Sequence, residues 1–152
     1  MSSQAGPVPR AASPLTWGRL AITAQVASIV AGVLAILSYY FIQAFCHRYA
    51  LGYEPVSVAT VSPFSGAAGA AMLAALAAFA LRGRARGLVY PQLALWLISL
   101  AGSIVAYVRS HALFTEYGHA RALIALTLMC DIPVLITIVL LVITMSQSRR
   151  GT

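Results

Sequence analysis

The chain has 152 residues, enough for one compact unit and too few for two ordinary domains. Apolar residues make up 61% and charged residues 9%, whereas a water-soluble surface needs roughly 25% charge, so a soluble domain and a disordered chain are both excluded. The net charge of +7 comes from arginine alone, and no basic stripe with interleaved aromatics accompanies it, which excludes a nucleic-acid partner.

Residues 1–16 are rich in Ser, Pro and Ala and contain no apolar core of the kind a cleaved signal peptide needs. They read as a flexible cytoplasmic segment, and the first apolar run is expected to remain as a signal anchor. The remainder reads as a transmembrane domain over 17–146 and a short cytoplasmic tail over 147–152. Spans are expected at about 17–45, 64–81, 88–108 and 122–145, each long enough to cross ~30 Å of hydrocarbon. The expected fold class is therefore an all-α four-helix membrane bundle. Pro55 and Pro63 are expected to bracket the first loop, Pro63 and Pro91 to open helices two and three, and Pro133 to kink helix four.

Arginine placement sets the orientation. Arg10, Arg19, Arg82, Arg84, Arg86, Arg149 and Arg150 fall on one side of such a bundle, with no acid among them. Arg48, Arg109 and Arg121 fall on the other, beside Glu54 and Glu116. By the positive-inside rule both termini are expected in the cytoplasm. The expected location is the cell membrane rather than an organelle membrane. Arg82, Arg84 and Arg86 also suit contact with anionic lipid headgroups.

Packing between spans in lipid depends on small residues. Span one offers Ala27, Ala31 and Ala35, and span two offers Gly66, Ala70, Ala74 and Ala78 at four-residue spacing. Span three offers Gly102 and Ala106, whereas span four has no comparable ridge. Spans one to three are expected to pack tightly, with span four facing lipid or a partner.

Asp131 stands nine residues beyond Ala122, about 13 Å into the fourth span and near mid-bilayer. A carboxyl there costs about 2.5–3.5 kcal/mol on insertion scales and marks a functional position by default. It is expected to keep its proton unless a cation or water reaches it. Ser38, Tyr39, Ser99, Ser103 and Thr127 are the polar residues expected within its reach. Three readings stay open: a proton or cation site, a contact to another subunit, or an internal hydrogen bond that fixes helix register.

No nucleophile elbow, phosphate loop or metalloprotease helix is present, and neither His47, His111 and His119 nor Cys46 and Cys130 have a ligand spacing. No catalysis, metal or cofactor is therefore expected. The expectation is a scaffold or accessory subunit whose partners are membrane lipids and other membrane proteins or copies of itself. The alternative is a small proton- or cation-coupled transporter or channel subunit using Asp131.

Overall fold

The computed structural model describes residues 14–50, 55–81 and 86–150, with side chains except at 14–17, 86 and 148–150. Within them lie α1 (Pro14–Tyr49), α2 (Val58–Ala80), α3 (Val89–Glu116) and α4 (Ala120–Arg150), a 3-10 turn at Arg86–Leu88, and no strand. Each of the four helices is long and apolar enough to cross a membrane. The fold is an all-α four-helix bundle, and the chain is a multi-pass membrane protein.

The helices outrun the apolar runs that announce them. Hydropathy marks where hydrocarbon ends, while a helix ends where its backbone hydrogen bonds stop, and the two points differ. α1 has 36 residues, or about 54 Å, well beyond the ~30 Å core. α2 begins at Val58 rather than Pro63, because the Ser57 hydroxyl caps it by accepting the Thr60 N–H at 3.3 Å. Pro63 thus lies inside α2, where it leaves the Ala59 carbonyl without its usual donor. Pro91 does sit in the first turn of α3, where its missing N–H costs nothing.

α3 runs on past Val108, through Arg109 and His111 to Glu116. It stops at a Schellman turn: Gly118 takes φ 74°, its N–H donates to the Thr115 carbonyl at 3.1 Å, and His119 N–H donates to Phe114 at 2.7 Å. His111 and Glu116 are therefore helical, and they do not share a loop with His119.

Short links make consecutive helices antiparallel neighbours, and α4 closes the ring against α1. α1 and α3 also touch across the centre, whereas α2 and α4 do not meet among the described residues. The buried line of α3 is Val89, Gln92, Trp96, Ser99, Ser103, Ala106 and Ser110, alternating steps of three and four. α4 buries Leu123, Cys130, Val134, Thr137, Leu141 and Thr144 in the same rhythm, with Thr127 in the gap. This is the 3.5-residue repeat of left-handed bundles.

That repeat decides which small residues meet a neighbour. A four-residue ridge rotates about 40° per step around a helix, so it drifts off the seam. On α2, Gly66 and Ala70 accordingly face outward, Ala74 is half-buried, and the close-packed face is Ala68, Ala71, Ala75 and Ala78. On α1, Ala31 and Ala35 are fully buried and Ala27 half-buried. Two glycines form notches for α2 side chains. A methyl group added at Gly32 would overlap the Met72 thioether, and one at Gly102 would overlap the Phe64 ring, with Ala106 buried one turn on.

α4 is the most exposed helix, with 22% of its apolar window buried against 39% in α3. It is not peripheral, however, because its contact with α1 is the most extensive in the bundle. Large apolar side chains cover the outside, Leu73 and Val108 being 68% and 67% exposed, while Gln25, Ser28, Gln92 and Ser99 lie inside. That inversion suits lipid as the surrounding solvent.

A buried polar seam as the candidate functional site

The polar side chains inside the bundle form a seam along the contact of α1 with α3, which α4 joins near mid-span. At one end Gln92 Nε2 donates to Gln25 Oε1 at 2.8 Å, both residues buried. One turn further, the Trp96 indole N–H donates to Ser28 Oγ at 2.8 Å. Next, the Tyr39 hydroxyl donates to the Ser99 carbonyl and lies 3.2 Å from Ser99 Oγ. Ser38 Oγ, beside it on α1, donates to the Leu126 carbonyl of α4. From Gln25 to Tyr39 the seam covers about 21 Å along α1. Each pair joins two helices, so it fixes their axial register as well as satisfying buried polar groups.

Asp131 completes the seam from α4. Ser103 Oγ donates to Asp131 Oδ1 at 2.5 Å. The Cys130 thiol is buried at this level, near Tyr39, Ser103 and Asp131. Asp131 is therefore not isolated: the Tyr39–Ser99 and Ser103–Asp131 pairs bring polar side chains of α1, α3 and α4 to one level around Cys130. Of the expected neighbours only Ser103 bonds the carboxyl directly. Tyr39 is turned to Ser99, Ser38 to a backbone carbonyl, and Thr127 Oγ1 is buried with no hydrogen-bond partner. Among the described residues the other buried side-chain polar atom without a partner is Gln92 Oε1.

The position of Asp131 on its helix sets it apart. At 100° per residue it falls between the covered side of α4 (Thr127, Val134 and Ile138) and the lipid side (Ile124, Leu128 and Leu135). Its side chain is accordingly only partly covered, while Leu128 and Leu135 are 49% and 48% exposed. Asp131 thus has one face in the seam and one edge at the outside of the bundle.

Gln25, Ser28, Gln92 and Trp96 are not among the residues that the sequence offers as a site, and Cys130 enters there only as a ligand or disulfide candidate. A local signal exists for Gln92 and Trp96 alone, which follow steps of three and four with Ser99, Ser103 and Ser110 within an apolar span. Arg82, Arg84 and the Arg86 side chain, expected at lipid headgroups, lie outside the described residues. His119 packs edge-on against Phe45 at 5.4 Å and His111 lies 5.6 Å from Tyr107, so the two are held apart by different aromatic partners. Among the described residues no three His, Cys, Asp or Glu side chains come together as a metal site, and neither Cys46 nor Cys130 is in a disulfide. No protein-family model, curated protein or solved structure matches this chain.

Proposed function

We propose that this chain is a non-catalytic membrane scaffold or accessory subunit that assembles laterally through the α3–α4 edge carrying Asp131. The observation that carries this reading is the contrast between Asp131 and the rest of the seam. Gln25, Ser28, Tyr39 and Ser99 are enclosed and spend their hydrogen bonds inside the bundle, but Asp131 spends one oxygen there and keeps an edge at the lipid face. A carboxyl at that edge is expensive in hydrocarbon and is relieved by a polar or basic group on another membrane helix. The helices carry nearly all of the described chain, which leaves little extramembrane structure for an active site. In this reading the termini lie in the cytoplasm and the bundle sits in the cell membrane, as the arginine distribution favours.

The second reading is a proton-coupled transporter or channel subunit. It is favoured by the seam itself, because Asp131 heads a run of polar pairs that continues to Gln25. Two substitutions separate the readings. Asp131→Asn keeps a hydrogen-bonding edge and loses the titrating group, whereas Asp131→Leu removes both. Lateral assembly predicts that the native mass of the complex extracted in a mild detergent survives Asp131→Asn and falls to the single chain in Asp131→Leu. An unchanged mass in Asp131→Leu contradicts assembly through this edge. Loss of proton flux in proteoliposomes on Asp131→Asn, with mass unchanged, would favour the transporter.

A further inference from the structure

At the end of the bundle away from Gln25 and Gln92, α1 and α4 part to leave an open groove of about 630 Å³, within the size range of small-ligand sites. Its cause is local. Ala44, Ala122 and Ala125 present only methyl groups at the exposed margins of α1 and α4, and the space beside Phe41 and Leu126 stays unfilled. The back wall is firm, because the Phe45 and Phe114 rings stack at 3.8 Å. The rim at the helix ends is polar, formed by Arg48, Tyr49 and His119. The Tyr117 hydroxyl donates to the Tyr49 carbonyl at 3.2 Å, which ties the α3–α4 turn to the end of α1 beside the rim. Arg48 lies over the Tyr49 ring, 5.6 Å from its centroid. Among the described residues that line the groove there is no Asp or Glu.

An apolar trough that opens sideways between two spans and ends in a cationic rim matches one kind of occupant. We infer that this groove binds one anionic phospholipid, an acyl chain lying along Phe41, Ala125 and Leu126 and the phosphate held by Arg48 with His119 beside it. The depth ordering matches a lipid, apolar toward the bilayer centre and basic at its edge. An arginine at the rim supplies a permanent charge and a planar pair of donors suited to phosphate oxygens. A zwitterionic lipid fills the trough equally well but carries its own cation to the rim, so the groove selects the anionic lipid.

The test is native mass spectrometry of the full chain released from bilayers of equal phosphatidylglycerol and phosphatidylcholine, counting retained lipids. The expected result is one phosphatidylglycerol retained in preference to phosphatidylcholine. Arg48→Gln is expected to weaken that retention about five- to tenfold, the scale of one basic contact at a membrane surface. Ala125→Phe fills the trough and is expected to abolish it, whereas Arg109→Gln, exposed on α3 and outside the groove, leaves it unchanged. Equal retention of the two lipids overturns the inference. So does retention that survives both Arg48→Gln and Ala125→Phe, or that falls as much in Arg109→Gln as in Arg48→Gln. Because Arg48 is exposed, its variant does not depend on the bundle tolerating a new core side chain.

Discussion

α2 and α4 occupy opposite corners of the same ring and never touch among the described residues, yet they are held by different means. α2 is attached by shape. Its face of Ala68, Ala71 and Ala75 lets backbones approach closely, and Phe64 and Met72 enter the notches at Gly102 and Gly32. Its one described side-chain hydrogen bond to a neighbouring helix is a long one, Tyr40 to Ser65 at 3.4 Å. α4 has no glycine at all, and its attachment includes directed bonds, Ser103 to Asp131 and Ser38 to the Leu126 carbonyl. Shape tolerates no added volume but needs no chemistry. Directed bonds tolerate small changes of shape but leave a polar group stranded when a partner is lost, and only that second kind of attachment leaves a polar group available at the bundle's edge.

Substitution at Gly102 is expected to have the largest effect. Gly102→Leu must displace the Phe64 ring and is expected to destabilise the bundle by about 1–3 kcal/mol, the usual cost of overpacking. Unfolding in mixed micelles measures it, and an unchanged midpoint would show that α2 is not seated in that notch. A smaller effect is expected along the polar seam. A double-mutant cycle of Gln25→Leu and Gln92→Leu should give a coupling of about 0.6 kcal/mol, and at most about 1.7, as for other hydrogen bonds between membrane helices. A coupling of zero in the same unfolding measurement would remove the seam from the account of register. The smallest effect sharpens the contrast within α2. Gly66 and Gly69 have no atom within 4 Å of an added methyl group, so Gly66→Ala and Gly69→Ala should cause no loss of stability, helix propensity favouring alanine. Comparable losses at Gly66 and Gly102 would mean that the close-packed face of α2 is the four-residue ridge after all.

Composition and apolar run length made four spans legible, because crossing hydrocarbon demands long apolar helices whatever the tertiary structure. Helix ends were less legible. Arg109 and His111 look like loop residues to hydropathy, but α3 carries them onward as exposed helix until Gly118 turns the chain. Facing was legible in part: Asp131 with Ser103 could be anticipated from depth, since antiparallel neighbours bring mid-span residues level. The Gln25–Gln92 and Ser28–Trp96 pairs could not, because they depend on α1 and α3 meeting across the ring, and no local pattern reveals which helices are diagonal. Gly66 and Ala70 misled for a related reason, since a constant spacing of four rotates around the helix and leaves the 3.5-residue seam of a bundle.

We propose that the α3–α4 edge around Asp131, rather than the α2 corner, is where this protein meets a membrane partner. Photo-crosslinking from membranes, with the reactive group placed at Leu135 beside Asp131 or at Leu73 on α2, tests it directly, since both side chains are exposed. The expected result is a discrete higher-mass adduct from Leu135 that disappears on Asp131→Leu, and none from Leu73. An adduct from Leu73 alone, or one from Leu135 that persists in Asp131→Leu, would contradict it.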